Sequence, residues 1–170
     1  INIEEKNIIS FVGGGGKTTS IYTLAKELSK LGKKVVVTTT THMHMPEDFI
    51  DFKGNVNEII ERFKSENLIT VGIKDRDGKI VEGGEKIAEK LINLCDFLLI
   101  EADGARMHPL KVPANYEPVI LKNTTMVVGV AGIDSLFKSI NKICHRPEQV
   151  CKVLSKNYNH KINTKDIANI

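Results

Sequence analysis

The residues with the clearest chemical potential form a glycine-rich run that ends in a lysine and two threonines, residues 13–19. Glycines without a Cβ let successive backbone N–H groups approach an anion, and the helix that follows adds unpaired N–H groups and the positive end of its dipole. The Lys17 ammonium group suits β- and γ-phosphates, the Thr18 hydroxyl suits Mg²⁺, and Thr19 suits the α-phosphate. The predicted site for a magnesium-bound nucleoside triphosphate comprises Gly13, Gly14, Gly15, Gly16, Lys17, Thr18 and Thr19.

Other interpretations of the glycines fit less well. A turn without a ligand would carry four glycines that cost roughly 0.5–1 kcal/mol each relative to alanine in regular structure. A dinucleotide motif would need its last glycine at Thr18 and an acid after the second strand. The strict GxxxxGK[ST] pattern would need glycine at Phe11, so the run instead resembles the GGxGKTT loop of the deviant P-loop branch. Val12 replaces the lysine that often reaches across a dimer there, so we predict no such dimer mechanism.

Two acids, Glu101 and Asp103, end an apolar strand and form the second candidate group. Mg²⁺ prefers oxygen ligands and keeps several waters, so either acid could hold the metal beside Thr18. One of them could also orient an attacking water or hydroxyl, and Gly104 would let the following loop sense the γ-phosphate. We predict Lys17, Glu101 and Asp103 as catalytic residues and Thr18, Glu101 and Asp103 as metal ligands. The pattern leaves open which acid contacts the metal.

Further polar residues are expected at the same edge of the sheet. Residues 38–41 are threonines that follow the second strand, where α/β proteins bind ligands, and we predict that Thr39 contacts the nucleotide. Arg106, which follows the acids, is a second predicted nucleotide contact because a cation can stabilise the charge that develops in phosphoryl transfer. The spacing of His42 and His44 is weak for a metal site, so surface or hydrogen-bonding roles are favoured. The other cations in loops near the predicted site are Lys111, His145 and Arg146.

The elements that position these residues alternate between β-branched apolar runs and segments of helical period. Strands are predicted at 7–12, 34–40, 68–73, 79–82, 97–101 and 125–130, and helices at 17–31, 56–64, 85–94 and in the tail. Residues 75–78 predict an antiparallel hairpin at a sheet edge, and 125–130 are expected to be buried. The alternation predicts a three-layer αβα fold with a mainly parallel sheet, of the P-loop NTPase type. We expect one such domain over residues 1–170, truncated at the C-terminus.

Composition narrows the function classes. The 170 residues are 41% hydrophobic and 26% charged with a net charge of +3, which is typical of a globular protein and not of a disordered one. Charges of both signs are scattered, so no concentrated basic face indicates a nucleic-acid binder. No run approaches the ~20 apolar residues that a membrane span needs. The three cysteines lack metal-type spacing, and we predict reduced thiols in a cytoplasmic protein.

Several motifs occur in one order that carries a family resemblance. They are the glycine-rich run, VTTTTHM at 37–43, EADGAR at 101–106, PLKVPA at 109–114, EPVI at 117–120, VVGVAGID at 127–134 and HRPE at 145–148. Together they resemble the YqeC-like family of accessory proteins of selenium-dependent molybdenum hydroxylases. The resemblance implies a cytoplasmic P-loop NTPase that uses Mg²⁺ with ATP or GTP and helps to make or insert a selenium-containing molybdenum cofactor. A molybdenum hydroxylase or a cofactor-synthesis protein would be its partner.

The acidic motif also resembles the Glu-x-x-Gly of nickel-insertion GTPases, here residues 101–104, but their Cys-Pro-His metal motif is absent from the sequence.

Three functions share the predicted residues. The first is an NTP hydrolase or phosphotransferase, and the second is a binding module that a nucleotide switches between states. The third is a small-molecule kinase, which would need an arginine-rich lid that the sequence lacks. In each case we expect Lys17→Ala to abolish nucleotide binding, because the lysine contacts the phosphates. We also expect Lys17 to be exposed, so that its replacement leaves the stability of the protein without nucleotide nearly unchanged.

Overall fold

The computed structural model of the protein describes residues 2, 4–41, 43, 48–52, 54–74, 80–81 and 85–170. Its strands are β1 (Asn7–Gly13), β2 (Val35–Thr39), β3 (Ile50–Asp51), β4 (Leu68–Lys74), β5 (Ile80–Val81), β6 (Phe97–Glu101), β7 (Leu110–Lys111), β8 (Met126–Val130) and β9 (Cys144–His145). Its α-helices are α1 (Lys17–Lys30), α2 (Asn57–Arg62), α3 (Glu85–Ile92), α4 (Ile140–Ile143), α5 (Pro147–Leu154) and α6 (Thr164–Ala168), with a 3₁₀ turn at Ile133–Ser135.

A mainly parallel sheet in the order β3-β4-β2-β6-β1-β8 organises the chain. Its central strands are apolar and β-branched because both of their faces are covered, as is usual for parallel strands. In the β1–β6 ladder Phe11 lies opposite Glu101, so the glycine-rich run and the acids leave neighbouring strands at the same edge. This adjacency brings the two predicted groups together, although 90 residues separate Gly13 from Asp103 in the chain.

Helices cover both faces of the sheet. On one face α1 buries Ile21, Ala25 and Leu28 against β1, β2 and β6. On the other face α2 and α3 contribute Ile59 and Leu91 to a second buried cluster. The prediction of an α/β fold with a mainly parallel sheet is confirmed.

The two edges of the sheet differ in part from the predictions. β5 pairs antiparallel with β4, as expected, and the turn at 75–79 lies outside the described residues. The strand predicted at 125–130 forms as β8, but the expectation that it is buried is wrong, because Val127 is 48% exposed. The physical reason is position, since β8 pairs with β1 on one side and has no second neighbour among the described strands.

The C-terminal third builds a separate small core that the sequence pattern did not reveal. Ile140, Ile143, Val150 and Ile162 pack together with Leu110 of β7. β7 pairs in parallel with β9 in a two-stranded sheet that ties this unit to the loop after β6. The thiols of Cys95 and Cys144 are buried, and all three cysteines are free. None of the helices in the described ranges has the length and apolar character that a membrane crossing requires.

Candidate functional site

The glycine-rich run forms a tight turn between β1 and α1. Gly13 and Gly16 have φ angles of +105° and +98°, which side chains rarely tolerate. A Cβ on Gly14 would overlap the carbonyl group of Pro109. Part of the reason for the glycines is therefore close packing of the turn against other backbone segments.

The turn leaves a row of backbone donors available. The Gly14 N–H donates to the Val130 carbonyl oxygen at 2.7 Å, and helical bonding begins with the Ser20 N–H, which donates to the Gly16 carbonyl at 2.9 Å. Within the described ranges, the five N–H groups of residues 15–19 donate no hydrogen bond. Five neighbouring donors at the positive end of a 14-residue helix form a geometry that suits an anion.

Lys17 points back into the turn and not into solvent. Its Nζ donates to the carbonyl oxygens of Gly13 at 2.6 Å and Gly14 at 3.3 Å, and it lies 3.2 Å from Asp103 Oδ1. The side chain is 4% exposed. The expectation that Lys17 is exposed is wrong. Because removing one partner of a buried ion pair destabilises a fold, we now expect Lys17→Ala to lower the stability of the protein.

Thr18 and Glu101 form a direct contact between the first turn of α1 and the end of β6. The Thr18 hydroxyl donates to Glu101 Oε2 at 2.6 Å. Glu101 is 7% exposed, Thr18 is half-buried and Thr19 is exposed. A hydroxyl and a carboxylate that already touch are two oxygen ligands of the type that Mg²⁺ takes together with phosphate oxygens and water.

Asp103 has a different environment from Glu101. Its carboxylate accepts the Gly13 N–H at 3.1 and 3.0 Å, and its two oxygens lie within ion-pair distance of Lys17 and Lys111. The side chain is 1% exposed. Asp103 therefore holds the base of the turn in place.

A row of alternating charges continues from Asp103 towards the C-terminal unit. Lys111 Nζ lies 2.7 Å from Glu117 Oε2 and donates to the Gly104 carbonyl at 2.8 Å, and Arg146 Nη1 donates to the same Glu117 oxygen at 2.7 Å. Burial raises the pKa of Glu117, but the hydrogen bonds from Arg146 and Lys111 outweigh that effect and lower it to about 2. Glu117 is therefore a permanent anion between two cations near neutral pH.

The remaining predicted contacts lie in other surroundings. The Thr39 hydroxyl donates to the Glu101 carbonyl oxygen at 2.8 Å and accepts the Thr41 N–H at 3.0 Å. Its one hydrogen is therefore already donated within the fold. Arg106 is exposed in the turn after β6. His42 and His44 lie outside the described residues.

The sequence pattern does not identify two residues near the site, Glu117 and His108. Glu117 lies in the EPVI motif, but its partner Arg146 is 29 residues away, and no local periodicity links them. The His108 ring stacks on the His145 ring with centroids 5.8 Å apart. No sequence motif that includes His108 indicates this pairing.

Some metal ions are bound by a group of protein side chains without other ligands. In the part of the chain that the structure covers, no three His, Cys, Asp or Glu side chains gather as a metal site.

Comparison with known proteins places the chain in context. A family profile described as "YqeC protein" matches residues 9–148, which is most of the chain. A relative from Escherichia coli (strain K12), named "Uncharacterized protein YqeC", is 33% identical over 147 residues, which cover 79% of this chain and 55% of the relative. The chain thus spans about half the length of the curated relative that it matches. No solved structure matches it.

Proposed function

The chain belongs to the YqeC family, and on that premise we propose that residues 13–19 bind the phosphates of a magnesium-bound nucleoside triphosphate, ATP or GTP. The observation that carries the proposal is the row of N–H groups at residues 15–19, which have no partner within the described ranges. They begin α1, the longest helix in the described ranges, so several donors and the positive helix dipole converge at one turn. A polyphosphate has enough acceptor oxygens, close together, to accept hydrogen bonds from all of these donors at once.

Lys17 supplies the positive charge of this site. In the structure its ammonium group donates to the carbonyl oxygens of Gly13 and Gly14. Phosphate oxygens are stronger acceptors for an ammonium group than carbonyl oxygens, since both partners are then charged. A bound phosphate therefore offers Lys17 better partners within its own turn.

We assign different roles to the two acids. Glu101 already touches Thr18, so this pair would hold Mg²⁺, which supplies charge neutralisation between the phosphates. Asp103 binds the Gly13 N–H and two ammonium groups, so its role is to hold the turn and Lys17 in position. Thr19, exposed one residue after Thr18, remains a proposed contact of the α-phosphate.

A second candidate, a nucleotide-gated binding module, is favoured by the charge row. A chain of ion pairs runs from Lys17 through Asp103 and Lys111 to Glu117. A displacement of the Lys17 ammonium group would therefore alter the partners of residues that contact the C-terminal unit. Because the carboxylate of Asp103 is engaged, it is a poor base for activating water in this arrangement. We therefore propose slow intrinsic hydrolysis that a partner accelerates.

The cellular role that we propose is assistance in making or inserting a selenium-containing molybdenum cofactor into hydroxylases. This part of the proposal rests on the motif resemblance, and no contact described above is specific to selenium or molybdenum. A molybdenum hydroxylase or a cofactor-synthesis protein is the proposed partner. A small-molecule kinase in the same pathway remains a further alternative.

Calorimetric titration with Mg-ATP and Mg-GTP tests the proposal. We expect heat with at least one nucleotide, and ligand at ~100 times its dissociation constant should add about 2.7 kcal/mol of stability, or roughly 5–11 °C in Tm. Lys17→Ala should remove this effect, whereas Lys26→Ala, an exposed change on the same helix, should retain it. Titrations below the melting temperature of the Lys17→Ala protein separate lost binding from lost folding.

The two candidate functions differ in turnover. Phosphate release from the isolated protein would favour a hydrolase, and release that requires a candidate partner would favour the gated module. If neither triphosphate produces heat or raises Tm with the wild-type protein, the proposal fails.

A further inference from the structure

Arg106, His108 and His145 form a cluster that borders the glycine-rich turn, and of these three only Arg106 is predicted from the sequence to contact the nucleotide. The rings of His108 and His145 are stacked at 5.8 Å with an interplanar angle of 19°. His145 lies opposite Lys111 in the β7–β9 ladder, and the segment of His108 and Pro109 packs against Gly15. The cluster therefore lies beside the turn that we propose as the phosphate loop.

The polar groups of this cluster have unused hydrogen-bonding capacity. Both rings are half-buried, and in the part of the chain that the structure describes neither makes a hydrogen bond. Arg106 is exposed and likewise has no ion-pair or hydrogen-bond partner among the described residues. Lys111 and Arg146 differ, since both contact Glu117. Arg106 is thus the cation of the cluster whose charge is not balanced within the described ranges.

The backbone holds Arg106 in an unfavourable conformation. Arg106 and Met107 have φ angles of +47° and +63°, and the His108 N–H closes the turn onto the Ala105 carbonyl at 2.9 Å. Left-handed backbone costs about 1–2 kcal/mol for each residue with a Cβ. Such strain persists where the surroundings impose it and is concentrated at binding sites.

The charges decide which kind of ligand fits. A pair of imidazoles can bind a metal cation, but burial and then the positive charges of Arg146, Lys111 and Arg106 lower the pKa of His145. The nearby positive charges, which disfavour a proton on this ring, also disfavour a divalent cation, and they favour an anion.

We propose that Arg106, His108 and His145 form a second oxyanion site beside the phosphate loop, which binds the phosphate or sulfate-like group of a small-molecule second substrate. The assignment to a second substrate rests on the proposed function, whereas the binding of an oxyanion does not. Such a site would anchor the second substrate of a small-molecule kinase, the further alternative under the proposed function, next to its nucleotide.

Nuclear magnetic resonance of ¹⁵N-labelled protein tests the site directly. Inorganic sulfate, a dianion throughout the neutral range, is titrated while the imidazole signals of His108 and His145 and the amide signals of Gly15 and Gly16 are followed. We expect the ring signals to saturate, with a rise in the His145 pKa. Arg106→Ala should weaken the ring response about tenfold or more, as expected for the loss of one charge-assisted hydrogen bond. Lys122→Ala, an exposed change before β8, should not alter it.

The two sites are separated by their own signals. An amide response without a ring response, or a ring response that Arg106→Ala leaves intact, overturns the second site. A ring response without an amide response supports the second site and contradicts the binding of sulfate at the phosphate loop. A parallel titration with methyl phosphate distinguishes a free oxyanion from an esterified one, since a site for a substrate phosphate must also accept the ester.

Discussion

The Nζ atom of Lys111 lies 2.9 Å from Oδ2 of Asp103, and both side chains are shielded from solvent. Asp103 in turn contacts Lys17, which begins α1, so one buried carboxylate holds a residue of the proposed phosphate loop and a residue of β7. A buried charge is costly unless it is paired. This pairing explains why both lysines are tolerated in the interior, and it makes the geometry of the turn dependent on a strand from a different part of the chain.

The first prediction concerns Lys111 itself. Lys111→Met keeps the volume and removes the charge, so Asp103 and Glu117 lose the cation between them. We expect destabilisation by about 3–5 kcal/mol, the usual cost of breaking a buried ion pair from one side. Urea unfolding measures it, with Lys122→Met at an exposed position as the control, where the change should stay within about 0.5 kcal/mol. Equal effects in the two variants would show that the buried row of charges contributes nothing specific.

The second prediction compares two glycines. A Cβ on Gly14 would overlap the Pro109 carbonyl group, whereas a Cβ on Gly129 of β8 has no atom within 4 Å. Gly14→Ala should therefore cost about 1–3 kcal/mol through overpacking and should also weaken nucleotide binding, because the turn must move. Gly129→Ala should be neutral or slightly stabilising. Thermal unfolding and nucleotide titration of both proteins check this, and a neutral Gly14→Ala would contradict the described packing.

The sequence was informative where local pattern determines structure. β-branched apolar runs and helical periods predicted β1, β2, β6 and α1 with ends within one or two residues, because each element buries one continuous set of side chains. The meeting of Thr18 and Glu101 followed from the rule that parallel strands end at one edge of the sheet. The short strands β3, β7 and β9 have two residues each, too few for any period to register.

The surroundings of the site could not be predicted from local pattern. The burial of Lys17 depends on Asp103 and Lys111, and the pairing of Glu117 with Arg146 joins residues that lie far apart in the chain. Such contacts arise from tertiary packing, so residue type alone suggested solvated charges. The exposure of β8 was missed for the same reason, since an apolar run does not reveal whether its strand has one neighbour or two.

The third prediction separates the roles of the two acids. Glu101→Gln should retain an acceptor for the Thr18 hydroxyl, so we expect the free energy of unfolding to change by about 1 kcal/mol or less. The factor by which Mg²⁺ raises the nucleotide affinity should fall at least roughly tenfold, because one metal ligand loses its charge. Asp103→Asn should instead destabilise the unliganded protein by about 3 kcal/mol, since it leaves two ammonium groups without their shared anion. Nucleotide titrations with Mg²⁺ and with EDTA, together with urea unfolding, measure both quantities. The reverse pattern would assign the metal to Asp103.

The fourth prediction is a pH dependence of stability at Glu117. Its pKa falls from 4.5 to about 2 in the folded protein, because the hydrogen bonds from Arg146 and Lys111 outweigh the opposing effect of burial. A lowered folded-state pKa means that the unfolded chain binds the proton more readily, so the stabilisation is complete above about pH 4.5 and is lost as the pH falls towards 2. At ~1.4 kcal/mol per pKa unit it amounts to at most roughly 3–4 kcal/mol.

Comparison of wild type with Glu117→Gln isolates this contribution from that of every other carboxylate. The glutamine cannot ionise, so the advantage of the wild-type protein in urea unfolding should be largest at pH 6–7 and should shrink steadily between about pH 4.5 and 3. High salt should reduce the difference only in part, because Glu117 is 17% exposed and its partner Lys111 is fully buried. If the free energies of unfolding of the two proteins differed by the same amount at every pH, the ion pairs of Glu117 with Lys111 and Arg146 would not stabilise the folded chain.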